Sequence, residues 1–252
     1  MAVQNHVHII TPLISAGFRD DSALGALVGE ECKISSGVLD KGPASVESAV
    51  DEVLAAPGVI DAAIRAEKGG AQAIVIDCML DPGLAAAREA VSVPVVGAGA
   101  AGVEAATALG RFSIVTVLDR QAPMFHALAL RYGFADRLTS VRGIGVPVLE
   151  LEEDRDAAVA KTVEACRKAF LEDHAEAIVF GCTGMLGFAV PVAEALGIAA
   201  SKIIDPLPNA VRAALAAIPQ GGSGMPKPER KRVSGFEAWN HLNDIMKPEA
   251  GL

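Results

Sequence analysis

The stretch that decides the fold is AQAIVIDC (71–78), because it returns as AEAIVFGC (175–182). Five of the eight positions are identical, at an offset of 104 residues. Each copy is a solid apolar run rich in β-branched residues, the pattern of a strand covered on both faces. Other pairs keep nearly the same offset: HIITP (8–12) with SIVTV (113–117), and VPVVG (93–97) with SKIID (201–205). A duplication of this period predicts two similar halves.

Between these runs lie longer Ala-rich amphipathic stretches. Helices are predicted at 44–56, 57–69, 83–91, 101–109, 124–132, 154–173, 186–196 and 208–217. Strands are predicted at 6–10, 71–77, 93–96, 112–118, 146–151, 175–180 and 202–205. Apolar strands separated by helices give an α/β fold: two pseudosymmetric lobes, each a mainly parallel sheet flanked by helices. The first lobe is expected to hold 1–98 with 212–252 and the second 99–211, with the active site in the cleft between them.

The chain has 252 residues, of which 51% are hydrophobic, enough for a substantial core. Mean hydropathy is +0.37, but no apolar run is long and uninterrupted enough for a membrane span. The N-terminus shows no basic region followed by an apolar block, so no signal peptide is expected and the protein is placed in the cytoplasm. A net charge of −9 disfavours a nucleic-acid partner. The Gly/Pro-rich basic segment GGSGMPKPERKRVSG after Gln220 reads as a solvated loop or tail.

The four cysteines, Cys32, Cys78, Cys166 and Cys182, form no CxxC and no zinc-type ladder, so reduced thiols and no metal site are expected. Cys32 and Cys166 read as structural. Cys78 and Cys182 close the two equivalent strands, where ligand sites of open α/β sheets lie. Two facing lobes would set the two thiols on opposite walls of one cleft. Racemisation needs that arrangement: a base on one face of a stereocentre and an acid on the other, with roles exchanged in the reverse direction. Each cysteine precedes a turn into a helix, whose N–H groups would favour a thiolate.

The motifs GPASVES (42–48) with Asp51 and Glu52, LAAPGVI (54–60), IVIDCMLDPGLAAAREAVSVPVVG (74–97), RFSIVTVLDR (111–120), YGF (132–134), VPVLELE (146–152) and IVFGCTGM (178–185) carry a resemblance. The chain resembles the aspartate/glutamate/hydantoin racemase superfamily over nearly its whole length to about Leu215, most closely the hydantoin and allantoin racemase branch. The resemblance implies the two-lobed aspartate/glutamate racemase-like fold, cofactor-independent racemisation, Cys78 and Cys182 as acid and base, and homo-oligomers. It departs from the branch at Thr11-Pro12-Leu13-Ile14-Ser15, where the branch has Asn-Pro-Asn-Thr-Ser, and at Gly97-Ala98-Gly99-Ala100-Ala101, where an acidic residue is common. A more apolar pocket is therefore expected, for a small cyclic ureide or an amino-acid derivative.

Pro12 and Ser15 remain from the branch pattern as substrate contacts, and Ser45 enters from the resemblance. Thr116 and Thr183 follow strand ends facing the predicted cleft. Asp77 and Met79 flank Cys78, and Gly184 follows Thr183, completing the expected contacts. The carboxylate of Asp77 would disfavour a thiolate, so it is expected to point away from the sulfur.

Two other readings compete. Gly97-Ala98-Gly99-Ala100-Ala101-Gly102 is a GxGxxG after a strand, with Asp119 ending the next strand, so a nucleotide-binding module is one alternative. The short helix to Gly110 and the mid-chain position argue for a packing role instead. A thiol-dependent decarboxylase or isomerase of a small dicarboxylate is the other, although the decarboxylase branch retains only the second cysteine. His6 and His8 alternate on one strand face without a third ligand, and are read as hydrogen-bonded or solvated. His126 is the one histidine weighed as a partner for a cysteine nucleophile.

Overall fold

The computed structural model describes residues 5–19, 24–25 and 32–220. The basic segment after Gln220, and with it most of the C-terminal part assigned to the first lobe, lies outside the described residues. Two four-stranded parallel sheets form the frame. The first is built from β1 (Asn5–Thr11), β2 (Cys32–Val38), β3 (Ala73–Ile76) and β4 (Val95–Gly97) in the order β2-β1-β3-β4. The second is built from β5 (Phe112–Thr116), β6 (Leu138–Gly143), β7 (Ala177–Phe180) and β8 (Ile203–Ile204) in the order β6-β5-β7-β8. The two orders are the same permutation, so each half repeats the other's topology.

The octapeptide strands β3 and β7 are interior strands, and all four residues of each are buried. A strand paired on both sides and covered on both faces favours apolar side chains, hence the unbroken apolar runs.

Helices α1 (Ala49–Lys68), α2 (Leu84–Ala90), α3 (Ala98–Thr107), α4 (Ala122–Arg131), α5 (Arg155–Leu171), α6 (Ala189–Leu196) and α7 (Pro206–Ala217) cover the sheets. α7 returns to the first sheet, packing on β1, β3 and β4 and against α3. The α3–α7 seam is built from alanines and glycines; a Cβ on Gly102 would lie 3.0 Å from Pro206. Small residues let these helices approach closely.

The structure corrects four sequence expectations. First, the helices predicted at 44–56 and 57–69 are one helix, α1, with Pro57 inside it. Pro57 removes one N–H and crowds the carbonyl a turn earlier, but the face that includes Ala55, Val59, Ala62 and Ala63 is buried and holds the helix together. Its true start is Ser48, whose hydroxyl accepts the Asp51 N–H at 3.2 Å.

Second, VPVLEL (146–151) is not a strand. Val148–Glu150 is a single 3-10 turn after Pro147, and the Val148 N–H goes to the Glu47 carboxylate at 2.8 Å instead of a ladder. Third and fourth, β2 and β6 were not predicted. Both are edge strands: LTSVRG is half-buried throughout, and CKISSGV is half-buried except for exposed Lys33 and Ser36. Polar residues suit an exposed sheet edge and erase the apolar signature.

Candidate active site

Cys78 and Cys182 each stand two residues past the end of an octapeptide strand, and the turns that carry them superimpose in their bonding. The Asp77 N–H donates to the Ile10 carbonyl at 2.9 Å, and the Gly181 N–H to that of Val115 at 2.7 Å. After each cysteine the chain closes a turn, with Asp81 N–H on the Cys78 carbonyl and Met185 N–H on the Cys182 carbonyl, both at 3.1 Å. Equivalent strand ends thus present equivalent sulfurs.

Both sulfurs line one cavity between the sheets. Leu13, Phe18, Val46, Met79, Leu80 and Val148 give it apolar walls, and Thr11, Asp77, Gln121 and Thr183 supply polar side chains. The cavity volume is about 30 Å³, room for about one or two waters. A ring-sized substrate therefore needs the walls to part, and would then be enclosed by them.

Burial governs both thiols. Cys182 is pushed up to about 12, first by burial, while the Gly184 N–H and Arg19 pull the other way. The Gly184 N–H donates to its Sγ at 3.3 Å. Cys78 is raised well above the ordinary thiol value by burial, with Cys182, Asp81 and Asp77 adding to the rise and the Leu80 N–H opposing it. The backbone donors expected from the sequence are present, and burial outweighs them. Both sulfurs rest as neutral thiols.

Of the expected contacts, Pro12, Asp77, Met79, Thr183 and Gly184 line the cavity. Asp77 directs its carboxylate to Arg19 at 2.8 Å and accepts from Thr11 at 3.1 Å. The Thr183 hydroxyl donates to the Asp77 backbone carbonyl at 3.2 Å. Thr116 lies behind the wall; its hydroxyl donates to Gln121 at 2.7 Å and is 3.3 Å from the Gly181 carbonyl, so it backs two lining residues without lining the cavity itself. Ser15 is bound away from the cavity to the Ala44 carbonyl at 2.8 Å, and Ser45 is not among the lining residues, whereas its neighbour Val46 is.

Sequence reasoning passed over Arg19, Phe18, Gln121 and Val148. Arg19 and Phe18 follow the stretch where the chain departs from its branch pattern, so no motif flagged them. Glu47 lay inside GPASVES; its carboxylate joins the two halves by accepting from the Val148 N–H at 2.8 Å and from Arg120 at 2.7 Å.

The glycine-rich turn is filled from within. The N–H groups of Gly99 and Ala100, which would cradle a phosphate, donate to the Asp81 carboxylate at 2.9 and 2.8 Å. A Cβ on Gly97 would fall 2.2 Å from that carboxylate. The glycines make room for Asp81, not for a nucleotide. His6 and His8 both bond the Ser35 hydroxyl, at 2.7 and 2.8 Å. His126 is exposed on α4 and does not line the cavity. Among the described residues no group of three or more His, Cys, Asp or Glu gathers as metal ligands, and no helix is long and apolar enough to cross a membrane.

Known proteins agree with this architecture. The Asp/Glu/Hydantoin racemase family model matches residues 22–214. A hydantoin racemase from Rhizobium meliloti is 36% identical over 219 residues, 86% of this chain and 90% of that protein. An allantoin racemase structure from Klebsiella pneumoniae superimposes with a TM-score of 0.82 at 31% identity, covering 94% of this chain and 99% of that one. Another, from Pseudomonas fluorescens, also gives 0.82, at 28% identity over 91% and 100%. With the fold, the paired strand ends and the sequence in accord, the chain belongs to the Asp/Glu/hydantoin racemase family.

Proposed function

We propose that this protein is a cofactor-independent racemase of a small cyclic ureide, of the hydantoin or allantoin type, with Cys78 and Cys182 as its acid/base pair. One observation carries the reading: two cysteines at equivalent strand ends line a single apolar cavity. The names of the relatives support the substrate class.

One sulfur, as thiolate, removes the proton from the stereogenic carbon; the opposite thiol delivers a proton to the other face. The electron pair passes into the substrate's own adjacent carbonyl, giving a conjugated enolate. A thiolate in this cavity is scarce at neutral pH but is a strong base because it is desolvated. A substrate seated against Leu13, Phe18, Val46 and Val148 would displace water from the cavity, which strengthens the electrostatic interactions inside. The same apolar walls favour an apolar substituent at the stereocentre.

The test is a set of single enantiomers of 5-substituted hydantoins and allantoin in heavy water, followed by polarimetry and proton loss at the stereocentre. Racemisation by the wild type, with a loss of about 10²–10⁴-fold in both C78S and C182S, supports the scheme. Full racemisation by either variant sinks it. Carbon dioxide released from a malonate would instead favour a decarboxylase.

A further inference from the structure

We infer that Arg19 is a positioning residue: its guanidinium ties the Cys182 turn to Asp77 and makes Cys182, not Cys78, the sulfur that gives up its proton the more readily. This rests on the two-thiol reading above.

Arg19 is a buried cation, with side-chain exposure of 2% against 0% for its partner Asp77. One guanidinium nitrogen donates to Asp77 Oδ2 at 2.8 Å, and the other donates to the Thr183 carbonyl at 2.8 Å. Asp77 immediately precedes Cys78, and Thr183 immediately follows Cys182. The Thr183 hydroxyl returns a second tie, to the Asp77 carbonyl at 3.2 Å. Two independent links therefore join the turns one residue from each sulfur. A planar fork can serve the carboxylate and the carbonyl together; an ammonium is a point charge and cannot hold both in one fixed geometry.

The charges around the two sulfurs differ. Cys182 faces Arg19, which favours its thiolate, and Asp77 and Glu47, which oppose it. Cys78 faces Asp77 and Asp81, both of which oppose its thiolate. Asp205, at the end of β8, faces Arg19 and Asp77 in turn, and accepts the Gly187 N–H at 3.0 Å. Arg19 is thus the cation that distinguishes the two walls. The repeat itself carries this asymmetry, since Gly181 stands where the first copy has Asp77.

The experiment has two arms. In the first, thiolate absorbance is titrated in C78S and in C182S, both of which keep Arg19. The variant retaining Cys182 is expected to ionise at the lower pH. Equal or reversed order overturns the inference, whether or not the wild type racemises hydantoins. In the second, kcat/KM against pH is compared for wild type, R19K and the charge-neutral pair R19Q/D77N, which leaves no buried carboxylate unpaired. R19K is expected to keep the acid limb of the wild type but lose kcat tenfold or more. R19Q/D77N is expected to lose kcat at least as far as R19K while its acid limb shifts by less than about one pH unit, because the lost cation and the lost carboxylate act in opposite directions on Cys182. A kcat unchanged from the wild type in both R19K and R19Q/D77N overturns the inference. Should that pair fail to fold, the first arm still decides. A wild type that racemises no ureide defeats the proposed function and leaves the titration order as a separate result.

Discussion

Asp77 and Gly181 hold the same place in two copies of one strand-end turn, and only Asp77 brings a carboxylate. Their N–H groups make matching bonds to Ile10 and Val115. At Gly181 no side chain fits: a Cβ would lie 2.5 Å from the Cβ of Thr116 and 2.8 Å from Ile114. Thr116 is held by Gln121 and cannot swing aside. Gly181→Ala is therefore expected to destabilise the fold by about 1–3 kcal/mol through overpacking. It should also lower turnover, because Cys182 is the next residue. Denaturant midpoints and racemisation rates check both effects.

The repeat was legible because β3 and β7 are covered on both faces by apolar neighbours and carry only apolar side chains. Ile74–Ile76 and Ile178–Phe180 announce themselves for that reason, and the two cysteines follow from their ends. What failed to show was written in polar residues. β2 and β6 sit at the sheet edges, where Ser35, Ser36, Thr139 and Ser140 suit solvent and side-chain hydrogen bonds. Arg19 was hidden for a different reason. A buried arginine is defined by the partners that fold around it, Asp77 and Thr183, which lie 58 and 164 residues away in sequence. The glycine motif misled because Gly-rich turns before a helix look alike whether the N–H groups meet a phosphate or, as here, the Asp81 carboxylate.

Tyr132 caps that carboxylate across the two halves, its hydroxyl donating to Asp81 at 2.5 Å. Asp81 also adopts a positive φ of 51° to reach the α3 amides. Tyr132→Phe would leave a buried carboxylate one donor short, at a cost of about 1.5–3 kcal/mol. Burial raises Asp81 to about 6 despite its donors. The unfolded chain holds it near the usual value of about 3.9. A carboxyl with a raised folded value binds its proton more tightly when folded. Its contribution is full below pH 4 and is lost as pH rises to about 6. In Tyr132→Phe that loss should extend to higher pH, which denaturation curves across the range would reveal.

Gly99 carries a sharper constraint than Gly97. A Cβ there would meet the Met79 backbone carbonyl at 2.2 Å, one residue from Cys78. Backbone cannot yield as a flexible side-chain end can. Gly99→Ala is expected to cost at least as much stability as Gly181→Ala and to disturb the Cys78 wall. Binding of a dinucleotide, followed by fluorescence, is expected to be undetectable in wild type and variant alike, since Asp81 occupies the amides.

The thiols themselves make the alkaline side of the stability curve diagnostic. Cys182 rises from an ordinary value of 9.0 to about 12 on folding. A thiol raised by folding is neutral in the folded state while the unfolded chain has already ionised. Its stabilisation is full below about pH 9 and drains away between there and about 12. The slope is at most about 1.4 kcal/mol per pH unit for one group. C182S removes that group. Its stability should therefore run parallel to the wild type below pH 9, and fall less steeply above it. Activity should move the opposite way in the wild type. Each pH unit toward the folded value multiplies the thiolate fraction about tenfold, so kcat/KM should keep climbing past neutrality until the fold gives way. A rate already flat at pH 7 would mean that some group other than a buried sulfur removes the proton.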